Sequence, residues 1–155
     1  MIQVDRRHVR AAPERVFACA ADVERWPEWL DHYRWVRFLE RRTDGGVVEM
    51  AAWRQFGPVR VPTWWVSDMR IDRDTPAVRY QHVRGITRGM DVEWSFSPES
   101  EGGAAVTITH LWDGPPWPLL RTAAANAIIG PLFIHAIAQR TLAGIARVAE
   151  RGEIR

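Results

Sequence analysis

The chain has 155 residues and a formal net charge of +2, the size of one domain with no large excess of either charge. All 21 basic residues are arginine and no basic run exceeds two residues, so nucleic acid is not a predicted partner. The single cysteine, Cys19, excludes a disulfide or a cysteine-based zinc site within one chain. We predict one domain over residues 1–155, with no cofactor and no metal.

The first elements are a strand and two short helices. Residues 2–10 alternate in the manner of a strand, and a helix is predicted to begin at Pro13-Glu14, because proline suits the first turn and an acid suits the positive end of the dipole. Pro27 separates a second helical piece from the first. The N-terminus lacks the apolar stretch of a signal peptide and no run of eighteen apolar residues occurs, so we expect a cytoplasmic protein.

The middle of the chain is predicted to form strands divided by turns rich in glycine, proline and aspartate. These strands cover residues 33–41, 47–54, 59–71, 77–84, 90–97 and 104–112, and their short links indicate an antiparallel meander. From Leu119 to about Glu150 the pattern is helical, with a break at Gly130-Pro131. The predicted fold class is therefore α+β: a curved antiparallel sheet of about seven strands wrapped around a long C-terminal helix.

The alternation within these strands predicts a pocket between one face of the sheet and the last helix. The nine tryptophans are several times the usual share, and such side chains suit a pocket for flat or apolar molecules. We therefore predict a hydrophobic or aromatic small-molecule ligand. The predicted ligand-binding residues share the inward sheet face or the covering face of the helix: Trp65, Met69, Tyr80, His82, Met90, Trp94, His110, Trp112, Phe133, Ile134 and Ile137.

Candidate catalytic residues are few. His110 has inward parity and an ordinary pKa near neutrality, so it is a candidate general acid or base, the alternative being a histidine hydrogen-bonded beside the core. Glu28 and His32 are four residues apart on a possible helix, but two ligands alone do not define a metal site. The sequence contains no glycine-rich phosphate loop, nucleophile elbow or zinc-protease helix.

Two segments carry a family resemblance. The first joins residues 12–17 (Ala-Pro-Glu-Arg-Val-Phe) to residues 22–30, where Asp22 is followed by Trp26-Pro27-Glu28. The second comprises residues 64–67 (Trp-Trp-Val-Ser) and 90–94 (Met-Asp-Val-Glu-Trp). The layout and these segments resemble the polyketide cyclase/dehydrase-like members of the START-like (Bet v 1-like, SRPBCC) superfamily. The resemblance implies a helix-grip fold, and the second segment is similar to strands of single-domain aromatase/cyclases.

The same resemblance implies site residues. Those aromatase/cyclases carry an inward arginine two residues after the serine that matches Ser67, a position occupied here by Met69. Arg70 follows, but adjacent strand residues point to opposite faces, so we expect it outside the pocket. Tyr33 matches a family tyrosine near the pocket mouth, and with His110 it is a candidate to orient a carbonyl group. The implied function is binding of a hydrophobic or aromatic molecule, with polyketide cyclase/aromatase-like activity.

Two alternatives stay open. The apolar residues 123–138 resemble the last helix of coenzyme Q-binding proteins, which implies a quinone or lipid carrier in transient contact with a membrane surface. A further branch resembles a ribosome-association toxin and implies a protein-interaction role, although acids interspersed among the arginines weaken the field of such a surface. Ligand identity and oligomeric state are left open by the sequence.

Overall fold

The computed structural model describes residues 1–114 and 131–152, with only the backbone described at 131–133. Strand β1 (Ile2–Val9) is followed by helix α1 (Pro13–Ala21), a 3₁₀ turn (Val23–Arg25) and the short helix α2 (Trp26–Trp29). The next six elements are β2 (Tyr33–Arg42), β3 (Gly45–Phe56), β4 (Val59–Asp72), β5 (Ala77–Gly85), β6 (Asp91–Pro98) and β7 (Ala104–Leu111). Helix α3 (Pro131–Arg151) completes the described part.

The seven strands form one antiparallel sheet in the order β1-β7-β6-β5-β4-β3-β2. Each strand from β2 to β7 pairs with its neighbour in sequence, whereas β1 pairs with β7, so that Ile2 lies opposite Leu111 and Val9 opposite Ala104. The predicted α+β helix-grip fold is confirmed. Strand β3 begins earlier than predicted, at Gly45, a position that requires glycine because φ is 129° and an added Cβ would collide with the backbone of Met69.

Helices α1 and α2 attach to the inner face of the sheet through Trp26. Its side chain is 2% exposed, and its indole nitrogen donates to the Cys19 carbonyl at 3.1 Å. The ring centre lies 5.2 Å from that of Tyr33 and 5.7 Å from that of Trp94. Trp26 therefore connects the helical segment to β2 at one edge of the sheet and to β6 near the other edge.

Helix α3 lies across the inner face. Its buried residues recur every three or four positions and form one apolar stripe, which comprises Ile134, Ala138, Leu142, Ile145 and Ala149. The described part of the helix begins at Pro131, and the helical pattern predicted from residue 119 to the Gly130-Pro131 break lies outside the described residues. Within residues 1–114 and 131–152, no helix has the length and apolarity that crossing a membrane requires.

The tryptophans occupy two faces of the sheet. Trp65 and Trp94 lie on the inner face, as their parity predicts. On the outer face, the Arg34 guanidinium lies 4.7 Å from the ring centres of both Trp35 and Trp53. Such stacks hide the ring faces beneath cations that stay in contact with water. The surplus of tryptophan therefore serves the outer surface as well as the inner face.

Candidate functional site

A cavity of about 80 Å³ lies between the inner face of the sheet and α3. A cavity of this size holds a few water molecules. It is smaller than the roughly 300–1,000 Å³ that is typical of ligand pockets. A ligand with more than a few heavy atoms therefore requires lining side chains to change rotamer or α3 to shift.

Most of the predicted ligand-binding residues lie on the cavity wall. The strands contribute Trp65, Tyr80, His82, Trp94 and His110, the residue before β6 contributes Met90, and α3 contributes Ile134 and Ile137. Tyr33 also lines the cavity, as the resemblance implies.

Two predicted residues are placed differently, and a third is not described. Met69 is fully buried in the core and is not among the residues that line the cavity. Trp112 is also buried away from the wall, where its indole nitrogen donates to the Arg88 carbonyl at 3.2 Å. Phe133 lies at a position whose side chain is outside the described part of the structure.

The cavity contains a cation that the sequence reasoning missed. Along β3 the alternate residues Val48, Met50, Ala52 and Arg54 point inward, and Arg54 is only 7% exposed. Its guanidinium carbon lies 4.9 Å from the ring centre of Trp65. Burial lowers the pKa of Arg54 to about 10, and Tyr33 acts in the opposite direction, so the side chain stays charged at neutral pH. The alternation along strand 47–54, which places Arg54 on the same face as Val48 and Met50, is the sequence signal for this inward cation.

The family resemblance pointed to positions 69 and 70 for an inward arginine, but the arginine on the cavity wall is Arg54. Arg70 is exposed, as expected from its parity, and lies 3.7 Å from the Asp68 carboxylate on the outer surface. Met69 leaves no charge on the inner face at its own position. The inward cation comes from β3, the neighbouring strand, instead of β4.

Two histidines on the wall are neutral at pH 7. Burial lowers the pKa of His82 to about 3, with the charges of His110 and Arg54 adding to the effect. Its Nδ1 lies 2.6 Å from Thr87 Oγ1, and its ring stacks on Trp65 at 6.0 Å. Burial likewise lowers the pKa of His110 to about 4, although the Asp5 carboxylate opposes the shift. His110 Nδ1 is buried and has no hydrogen-bond partner among the described residues, so it is available to a ligand.

The two tyrosines of the chain are both buried on this wall. Burial raises the pKa of Tyr33, while the charge of Arg54 and the hydroxyl of Thr141 act against the rise. Burial also raises the pKa of Tyr80 well above its ordinary value. The Tyr80 hydroxyl has no hydrogen-bond partner within the described residues. Both phenols are therefore protonated donors at neutral pH.

The buried histidines make stability depend on pH. The folded-state pKa is about 4 for His32, about 3 for His82 and about 4 for His110, against 6.5 ordinarily. Between about pH 6.5 and 4 the unfolded chain binds protons that the folded chain does not, so the free energy of unfolding falls as the pH falls. Each histidine adds up to about 1.4 kcal/mol per pH unit. Urea unfolding at three pH values in this window should show the loss, and the substitution His82→Gln should reduce its slope; an unchanged slope would contradict the assignment.

The fold and the cavity place the chain in a known class. It belongs to the polyketide cyclase/dehydrase and lipid transport family, whose model matches residues 9–132. A bifunctional cyclase/dehydratase of the granaticin polyketide synthase from Streptomyces violaceoruber is 27% identical over 150 residues, which are 93% of this chain and 42% of that protein. The chain thus spans less than half the length of this relative.

Solved structures share the fold across the chain. The Zhui aromatase/cyclase from Streptomyces sp. R1128 superposes with a TM-score of 0.75 at 18% identity, covering 97% of this chain and 94% of the other. A START superfamily protein from Mycobacterium smegmatis gives a TM-score of 0.68 at 14% identity, covering 97% and 95%. The polyketide cyclase/dehydrase family predicted from the sequence is confirmed by the match of the family model. At these identities the structures establish the fold alone.

Proposed function

We propose that this protein binds a linear poly-β-carbonyl compound in its cavity and catalyses closure of a carbocyclic ring by intramolecular aldol addition and loss of water. The observation that carries the proposal is the charged Arg54 guanidinium on the wall of an otherwise largely apolar, aromatic cavity. Charge develops on an enolate oxygen during this reaction, and a buried cation stabilises it far better than water does. The activities for which the related cyclase/dehydratase and aromatase/cyclase are named support the same chemistry.

The first step is removal of a proton from a methylene group between two carbonyls. His110 is neutral and its Nδ1 is free among the described residues, so it serves as the base. The electron pair of the broken C–H bond moves to the carbonyl oxygen, which the Arg54 guanidinium stabilises. Arg54 lowers the pKa of His110 itself, so the two groups are within electrostatic reach of each other.

The second step forms the ring. The enolate carbon attacks a carbonyl carbon further along the chain, and the new alkoxide takes a proton from the Tyr33 phenol. Loss of that hydroxyl with a second methylene proton releases one water, and enolisation of the remaining carbonyls makes the ring aromatic. Atoms and electrons balance without an oxidant or reductant.

The apolar wall supplies the folding of the chain. The rings of Trp26, Trp65 and Trp94 border the cavity and bring distant carbons of a flexible ligand into contact by burying them. The quinone or lipid carrier is less favoured, because the related proteins named above are a cyclase/dehydratase and an aromatase/cyclase.

A synthetic thioester with three further carbonyls on alternate carbons tests the proposal. Wild-type protein should raise the yield of the singly cyclised aromatic thioester above the spontaneous mixture, followed by liquid chromatography and mass spectrometry. Ala138→Leu fills the cavity from α3 and should lose most of this effect. The matched control is Ala136→Leu, the same substitution on the exposed face of the helix, which should retain it. Equal product profiles with and without wild-type protein would overturn the proposal.

A further inference from the structure

A buried histidine that the proposed reaction does not use lies between the cavity and the surface. His32 is 1% exposed and immediately precedes β2. Its Nδ1 is buried without a hydrogen-bond partner among the described residues and lies 3.8 Å from the Asp31 carboxylate. That carboxylate is largely exposed and accepts a hydrogen bond of 3.0 Å from Arg140. One side of the imidazole therefore faces a polar surface.

That surface is a cleft of about 190 Å³. Asp31 and His32 line one side of it, and Arg140 and Arg147 of α3 line the other. Such a volume admits water. Water can therefore reach the Asp31 carboxylate, which lies 3.8 Å from His32 Nδ1.

The other side of the imidazole leads into the cavity. His32 Nε2 lies 3.0 Å from Thr141 Oγ1, a buried hydrogen bond between the segment before β2 and the middle of α3. Thr141 is itself a lining residue of the cavity. Its hydroxyl interacts with the Tyr33 phenol and lowers the pKa of that group. The two nitrogens of one ring thus connect the surface cleft with the cavity wall.

We infer that His32 and Thr141 form a proton relay that links the Tyr33 phenol to solvent at the Asp31 cleft. To reprotonate the phenolate, His32 Nδ1 takes a proton from solvent by way of the Asp31 carboxylate, the Nε2 proton passes to Thr141 Oγ1, and the threonine proton passes to Tyr33. One proton is taken from solvent and one reaches Tyr33, and the imidazole ends neutral with its proton on the other nitrogen. Phenolate formation runs the same transfers in reverse.

The charges around His32 suit a ring that relays a proton without holding it. Burial lowers its pKa to about 4, Arg140 on α3 and Arg54 on β3 act in the same direction, and Asp31 opposes them. The ring is therefore neutral at physiological pH, with one nitrogen able to accept while the other donates. A threonine hydroxyl likewise both donates and accepts.

The relay has a chemical purpose that rests on the proposed function. In each ring closure Tyr33 gives up a proton and His110 gains one, so the phenol must be reprotonated before the next turnover. Ligand fills the cavity at that moment and blocks access of water to the phenol from inside. A path through the wall restores the proton without opening the site.

The relay can be measured without substrate. The chain has two tyrosines, so Tyr80→Phe leaves Tyr33 as the only phenol. Biosynthetic incorporation of difluorotyrosine lowers the phenol pKa into a range where the protein is folded. A rapid pH jump then gives the rate of phenolate formation from its absorbance. For each variant the final pH is set the same number of pH units above the midpoint of its own phenol titration. A change in the phenol pKa then does not appear as a change in rate.

In this background Thr141→Val and His32→Phe should each slow phenolate formation at least tenfold. The matched control is Thr63→Val, which also removes a hydroxyl, one that donates to the Ala52 carbonyl at 2.9 Å outside the relay, and it should stay within twofold. Thr141→Ser should restore the rate, which a merely structural role would not predict. Equal rates in Thr141→Val and its parent would overturn the relay. Because no ligand is added, the relay and the cyclisation chemistry fail or succeed separately.

Discussion

Arg54→Met is expected to lower the rate of ring closure on the synthetic thioester by about two to three orders of magnitude, the range for removal of one oxyanion donor. The guanidinium is buried on the cavity wall, where the low polarity strengthens its interaction with a developing enolate. Methionine keeps the unbranched shape and removes only the charge and the donors. The measurement is the initial rate of formation of the aromatic product at saturating thioester.

Two controls separate chemistry from folding. Arg54→Met should keep a cooperative thermal unfolding transition, which shows that the variant is folded when its rate is measured. Arg60→Met removes an exposed arginine that stacks on Trp53 outside the cavity, and it should leave the rate unchanged. A rate within threefold of wild type in Arg54→Met would remove Arg54 from the mechanism.

Trp26→Ala is expected to lower the free energy of unfolding by about 3–5 kcal/mol, the usual cost of deleting a buried large aromatic side chain. The ring is 2% exposed, contacts Tyr33 and Trp94, and donates to the Cys19 carbonyl. Its loss would detach α1 and α2 from the sheet and leave that carbonyl without its indole donor. Urea unfolding followed by circular dichroism measures the change.

The neighbouring tryptophan of the same motif is the matched control. Trp29 is partly exposed and stacks under the Arg25 guanidinium at 4.7 Å. Trp29→Ala should cost less than about 1.5 kcal/mol, since a partly exposed cation–π contact contributes little. If both substitutions cost the same, the motif acts through something other than the burial of Trp26.

The fold was predictable because most of its elements carry local signals. Alternation of apolar and polar residues located each strand in the described part of the chain to within a few residues, and Pro13 marked the start of α1. The family followed from the Trp-Pro-Glu segment, because its tryptophan performs a packing role that few other side chains can.

The site was less predictable. Arginine is usually exposed, so its residue type predicts an outward position for Arg54, whereas the alternation along β3 places it on the same inward side as Met50. Met69 and Trp112 have inward parity but lie off the cavity, because only part of the inner face borders the empty space and the rest is closed core. Parity gives the face of a strand, whereas the position of a cavity along that face depends on how the helices cover it. No local pattern connects His32 to Thr141, since 109 residues separate them.

The pairing of β1 with β7 has a consequence for synthesis of the protein. The first strand leaves the ribosome long before its partner exists, and the amino group of Met1 bonds to the carbonyl of Trp112, 111 residues later. At about 5–20 residues per second, β1 stays unpaired for roughly 5–20 seconds while the other strands form their hairpins. Its two inner residues Asp5 and Val9, both almost fully buried in the finished fold, are exposed to other chains throughout that interval. Arg6 and Arg7 lie within β1 and Arg10 directly follows it. Their positive charges oppose association with neighbouring nascent chains until β7 has been synthesised.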